Sequence, residues 1–187
     1  MTRAVLFDLD GTLLDSFALI TAAFRAACRE VLGREPSAHE VLERWGQPLA
    51  MRFAALAPDR VESLVGAYSR VYEAAAAALL RPFPGVPALL DRLADAGLRL
   101  AVVTSKRRHA ALRDLARCGL LDRFHAVVAS EDAPAVKPAP DPVRAALSDL
   151  RTEAVRSWMV GDAALDIAAG RAAGTRTIGA LWGARDR

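Results

Sequence analysis

Apolar residues in this chain fall into short unbroken runs, separated by longer stretches in which they recur every three or four positions. The first run, residues 3–7, ends abruptly on Asp8, Asp10 and Gly11. Such a run reads as a buried parallel strand that opens onto a loop at its C-terminal end. Residues 98–103, 125–129, 158–160 and 176–181 repeat the pattern. Helical periodicity predicts helices over 87–96, 107–118, 141–150 and 164–173, and Gly97, Gly119 and Gly174 stand where three of them would stop. Strands alternating with helices at this spacing predict a parallel sheet with crossover helices on both faces.

One stretch interrupts that rhythm. From Ser16 to about Leu80 the pattern is helical throughout, with breaks at Gly33, Pro36, Gly46-Gln47-Pro48 and Pro58-Asp59. The alanine run from Ala74 to Ala78 is simple text, but it is a strong helix former. Proline and glycine then punctuate the chain densely from Arg81 to Pro87 before the alternation resumes. The expected architecture is therefore α/β: a three-layer, Rossmann-like parallel sheet core from residues 1–15 and 82–187, with an all-helical cap, residues 16–81, inserted after strand one.

Composition narrows the function classes. A formal net charge of +3 and a pI near 9.3 would admit a nucleic-acid partner, but the densest basic cluster is only Lys106-Arg107-Arg108 and lacks interleaved aromatics. No nucleic-acid role is expected. The apolar runs are too short to span a membrane, and Val5-Leu6-Phe7 passes straight into acidic residues rather than into a leader. A soluble, cytoplasmic protein is expected, monomeric or homodimeric. Cys28 and Cys118, and the three histidines His39, His109 and His125, show no metal-ligand spacing.

The chemistry concentrates at the ends of the predicted strands, where open α/β sheets bind their ligands. Strand one ends in Asp8 and Asp10, the second in Thr104-Ser105-Lys106, the third leads to a loop with Lys137, and the fourth ends in Asp162, with Asp166 one turn on. Carboxylates gathered so closely repel one another unless a hard divalent cation sits among them, and Mg²⁺ favours such oxygen ligands. Lys137 and the Thr104 hydroxyl would hold phosphoryl oxygens. A carboxylate such as Asp8 can attack phosphorus, and Asp10, two residues on, can exchange protons with the leaving group and then with water. Lysine usage agrees: of 25 basic residues only Lys106 and Lys137 are lysine, and both belong to this set, where a compact ammonium suits a phosphate.

The ordered set resembles the haloacid dehalogenase-like hydrolase superfamily, in its phosphoglycolate phosphatase-like branch with a helical cap. The residues that carry the resemblance are Asp8-Leu9-Asp10-Gly11-Thr12, Val102-Val103-Thr104-Ser105-Lys106, Val136-Lys137-Pro138 and Val160-Gly161-Asp162-Ala163-Ala164-Leu165-Asp166. Phe83-Pro84-Gly85-Val86 is similar to the family's return from cap to core. The resemblance implies a Mg²⁺-dependent phosphatase of small phosphorylated metabolites. It assigns Asp8 as nucleophile and metal ligand, and Asp10 as general acid/base with its backbone carbonyl on the metal. Thr104 and Lys137 bind phosphoryl oxygens, Asp162 ligates Mg²⁺ and Asp166 supports the metal shell. Ser105 joins the substrate-binding set, through its hydroxyl or its backbone, or else caps the following helix.

Two departures stand out. Ala163 replaces the small hydroxyl residue common at its position, which bears on a hydrogen bond behind the metal ligands. Relatives also commonly add a strand and helix after a Trp-Gly such as Trp182-Gly183, which predicts a weakened sheet edge here. The same core would serve a phosphomutase, and a non-catalytic ligand- or partner-binding protein could keep the fold. The phosphonate-cleaving branch needs a cap lysine, and residues 16–81 contain none. In the cap, Trp45-Gly46-Gln47-Pro48 is a candidate substrate-facing loop or a helix–helix turn, and Arg52 a candidate anchor for an anionic group.

Overall fold

The structure, a computed structural model, describes residues 3–183. Two compact units are present, one built from the segments up to Asp15 and from Arg81 onward, the other from Ser16–Leu80.

In the first unit, β1 (Ala4–Phe7) is buried along its whole length, which is why its sequence is continuously apolar rather than alternating. It pairs in parallel with β4 (Arg99–Val103) on one side and β6 (Ser157–Gly161) on the other, Phe7 lying opposite Val102 and Val160. With β5 (Ala126–Val128) and β7 (Arg176–Gly179) the sheet order is β5-β4-β1-β6-β7. Right-handed crossovers then put α5 (Val86–Asp95) and α6 (Arg108–Arg117) on one face and α7 (Asp141–Asp149) and α8 (Ala164–Ala172) on the other. Ala4, Leu6, Ala101, Val103 and Met159 pack against Val143, Ala146 and Leu147 of α7 and Ala169 of α8. On the opposite face Val5, Phe7 and Trp158 line an apolar cavity of about 330 Å³ with Leu89, Leu93 and Trp182. Trp182, Leu181 and Ile178 remain exposed at the β7 edge.

All five strands of this sheet run in one direction, so their C-terminal ends share one edge. The predicted strands and core helices lie where expected to within two residues. Two short strands carry no signal in the sequence: β2 (Leu14–Asp15) and β3 (Arg81–Pro82) form an antiparallel ribbon two residues long. Pairs that short carry no periodicity. Arg81, placed by the sequence reading in the insertion, is opposite Asp15 in this ribbon.

The second unit holds α1 (Phe17–Leu32), α2 (Ala38–Leu42), α3 (Leu49–Leu56) and α4 (Val61–Leu79). Gly33 ends α1 in the left-handed region that glycine tolerates, its N–H donating to Arg29 O. Ser37 and Glu40 cap α2 reciprocally. The Phe24 and Phe53 rings stack at 4.8 Å, with Tyr68 edge-on to Phe53. Arg52 lies inside this aromatic cluster, buried, over Phe24 and Trp45, and donates to Val41 O. Its guanidinium is thus engaged within the helical unit, where the sequence reading had it reach for a substrate anion. Burial holds the Cys28 thiol up at about 11, in keeping with an inert core thiol. Among the described residues no helix is long and apolar enough to cross a membrane.

Candidate active site

The strand edge carries Asp8 just past β1, Thr104 just past β4 and Asp162 just past β6. The Asp8 N–H donates to Val160 O at 2.8 Å and the Thr104 N–H to Val128 O at 2.9 Å, so sheet pairing fixes both residues one step beyond their strands. The chain then turns at Gly11, whose φ is 89°. A Cβ built there would stand 2.3 Å from Asp162 Oδ2, so glycine is needed for the close approach as well as for the turn. Gly161 meets the same demand on the other side, its missing Cβ lying 2.3 Å from the Asp166 Cβ.

Around this edge Asp8, Asp162 and Asp166 each present a carboxylate oxygen, all within 4.8 Å of one another. Lys137 is 2% exposed and bridges two of them, with Nζ 2.6 Å from Asp8 Oδ1 and 2.6 Å from Asp166 Oδ1, and a third bond of 3.0 Å to Val103 O. Asp166 uses its second oxygen to accept from the Ala163 N–H at 3.0 Å. That bond caps α8 through a backbone donor, so the hydroxyl missing at position 163 leaves Asp166 held. Thr12 Oγ1 donates to Asp162 Oδ1 at 3.2 Å, and the Trp182 indole donates to Thr12 O at 3.1 Å. The Trp-Gly segment is thereby tied to the loop that carries the first motif.

The electrostatics follow from this crowding. Burial raises the Asp8 carboxyl well above the usual carboxylate range; Lys137 opposes the rise, and Asp166 and Asp162 add to it. Asp162 is pushed up to about 7, first by burial and then by the charge of Asp166. Burial alone would lower Lys137, but the carboxylates of Asp166 and Asp8 outweigh it and hold the ammonium firmly charged. Lys137 pairs with two of the three acidic groups, and Asp162 Oδ2 is buried without a hydrogen-bond partner. An orphaned carboxylate oxygen beside two others is a donor set that suits a hard divalent cation. The residues present therefore fit a metal ion of that kind.

Asp10 lies apart from the three-carboxylate cluster. Its Oδ1 accepts from Lys106 Nζ at 3.0 Å, and the same ammonium donates to Asp114 Oδ2 at 2.6 Å. Thr104 is buried, and its Oγ1 accepts from the Lys106 N–H at 3.1 Å. Ser105 Oγ is buried with no hydrogen-bond partner. Lys106 thus bridges Asp10 and Asp114. Asp114 was missed altogether. Arg107 pairs with Glu131 and Arg108 with Asp132, so each member of the one basic cluster faces carboxylates.

Comparison with known proteins gives the family. The family model described as haloacid dehalogenase-like hydrolase matches residues 5–180. The pyrophosphatase PpaX of Halalkalibacterium halodurans is 36% identical over 175 residues, covering 94% of this chain and 81% of that protein. A phosphoglycolate phosphatase of Aquifex aeolicus is 32% identical over 182 residues, covering 97% of this chain and 85% of its own. Among solved structures, a haloacid dehalogenase-like family hydrolase from Streptococcus pneumoniae superposes with a TM-score of 0.80 at 28% identity, over 95% of this chain and 84% of that one.

Proposed function

The chain belongs to the haloacid dehalogenase-like hydrolase family, and from that membership and the site's geometry we propose that it is a Mg²⁺-dependent phosphatase of small phosphorylated metabolites. The observation that carries the proposal is the Asp8, Asp162 and Asp166 cluster clamped by Lys137, with one carboxylate oxygen left unsatisfied. Relatives named for phosphoglycolate and for pyrophosphate support a small phosphorylated compound as the substrate.

Asp8 is the nucleophile. Its carboxylate attacks phosphorus, the bond from phosphorus to the leaving oxygen breaks, and a phospho-Asp8 intermediate forms. Asp10 gives its proton to the departing alkoxide, which leaves as the alcohol. The resulting Asp10 carboxylate takes a proton from water as that water attacks phosphorus, Asp8 is released, and inorganic phosphate departs. Thr104, Ser105 and Lys137 hold the phosphoryl oxygens. Asp8, Asp162 and the Asp10 backbone carbonyl would hold the metal, with Asp166 supporting them. When bound there, Mg²⁺ neutralises charge on the carboxylates and the phosphoryl group. Lys137 keeps Asp8 Oδ1 in place before substrate arrives, so the nucleophile needs no search for its rotamer.

The test is turnover of a panel of phosphate esters, including phosphoglycolate and inorganic pyrophosphate, with Mg²⁺ and then with excess chelator. Release of phosphate that stops on chelation and returns with Mg²⁺ is expected. Turnover unaffected by chelation, or none on any member with Mg²⁺ present, would sink the reading.

A further inference from the structure

Both lysines of the chain bridge a pair of carboxylates. Lys137 joins Asp8 to Asp166, and Lys106 joins Asp10 to Asp114. Nothing in the mechanism above calls for Asp114, yet its side chain is fully buried, 0% exposed, on the inner face of α6 beside Ala111 and Leu115. An apolar residue there would pack at no electrostatic cost, whereas a buried carboxylate must be paired to be tolerated. Its position calls for a reason.

We propose that Asp114 is a positioning residue: it holds the Lys106 ammonium against Asp10 Oδ1, so that Asp10 Oδ2 alone faces the leaving group and carries the transferred proton. The inference rests on the phosphatase reading and deepens it. The main chain at Lys106 is anchored at both ends, its N–H on Thr104 Oγ1 and its carbonyl accepting from the Ser130 N–H, each at 3.1 Å. The four-carbon stem carries an ammonium that without Asp114 would choose among several anions nearby, a bound phosphate included. Asp114 at 2.6 Å ends that choice. Arg117 engages the other Asp114 oxygen at 3.5 Å, so the carboxylate is itself held from its own helix. The side chains of Lys106 and Asp10 are 12% and 18% exposed, enough shelter for the pairing to act as a fixed strut rather than a screened surface contact. The two lysines divide the work: one fixes the nucleophile and the other the acid/base.

Leaving-group dependence separates this role from a structural one. An alkyl phosphate needs a proton delivered to its leaving oxygen, whereas p-nitrophenyl phosphate departs without one. In Asp114→Asn and in Lys106→Met, kcat/KM for an alkyl phosphate should fall about 10- to 100-fold further than kcat/KM for p-nitrophenyl phosphate, a share of what general acid catalysis supplies. Inhibition by inorganic phosphate should stay within about twofold. Equal losses on both esters would overturn the proposal, as would weakened phosphate inhibition, which would make Lys106 a phosphate ligand, or no change at all. If thermal melting shows Asp114→Asn unfolded, the Lys106→Met ratio decides. The parent reading is judged separately by the wild type: if it hydrolyses neither ester with Mg²⁺, both readings fall, and if it hydrolyses them with an unaltered ratio in the variants, only the positioning role falls.

Discussion

Removing divalent metal should make the protein lose stability as pH rises from 5 to 8, the reverse of ordinary acid denaturation. The cause is Asp162, whose carboxyl stands at about 7 in the folded chain because of burial and the charge of Asp166, against about 3.9 unfolded. Between those values the folded state binds more protons than the unfolded one, so the unfolding free energy falls with pH. The stabilising effect is complete below pH of about 4 and is lost as pH climbs through about 7. From pH 5 to 8 roughly two units of that difference are crossed, at about 1.4 kcal/mol each, giving a loss of about 2 to 3 kcal/mol. For a chain of this size that lowers Tm by about 5–10 °C. Asp8, also raised, acts in the same direction. The assay is thermal melting across pH in excess chelator, with Asp162→Asn alongside. The variant should remove the Asp162 share of the slope and leave that of Asp8, and Mg²⁺ at pH 8 should restore about 2 to 3 kcal/mol at a concentration near a hundred times its Kd. A flat or rising metal-free profile between pH 5 and 8 would refute the electrostatic picture of the cluster.

Other perturbations follow from single contacts. Lys137→Met leaves Asp8 and Asp166 buried without their ammonium, so turnover should fall at least about a hundredfold and metal-free stability by about 3 kcal/mol, read by phosphate release and by denaturant titration. Gly11→Ala puts a methyl 2.3 Å from Asp162 Oδ2 at a φ of 89°, and should cost about 1–3 kcal/mol of stability and weaken Mg²⁺ affinity in calorimetry. Trp182→Phe removes the indole bond to Thr12 O while keeping an aromatic ring; a stability loss of about 1 kcal/mol, seen in melting, is expected.

The parts of the fold legible in the sequence were those whose physics is local. A strand buried on both faces must be apolar throughout, so β1 and β4 announced themselves, and the acidic residues directly after β1 marked the sheet edge. The glycines after α5, α6 and α8 marked their ends. Gly11 was read within its motif, but the close approach to Asp162 that forbids a side chain appeared only once residues 151 positions apart were brought together. The ribbon of β2 and β3 was too short to leave a pattern. Asp114 was hidden for a different reason: α6 is rich in charge and reads as a solvated helix. A signal was present all the same, since Ala111, Asp114 and Leu115 fall on one face at the i, i+3, i+4 spacing. An acidic residue on an apolar stripe is the mark of a buried ion pair, and its partner Lys106 is eight residues back. Arg52 illustrates the opposite case: a candidate anchor for a substrate's anionic group in the sequence, it is enclosed by Phe24 and Trp45 in the fold.

The most direct test of the proposed mechanism is to look for phosphate on Asp8. Wild-type protein mixed with Mg²⁺ and a ³²P-labelled ester, then quenched in acid within the first turnover, should carry hydroxylamine-labile label on the peptide containing Asp8. Asp8→Asn, correctly folded by melting and circular dichroism, should carry none and should not release phosphate. Label on another residue, or an Asp8→Asn variant that hydrolyses the ester at the wild-type rate, would contradict the assignment of Asp8 as nucleophile.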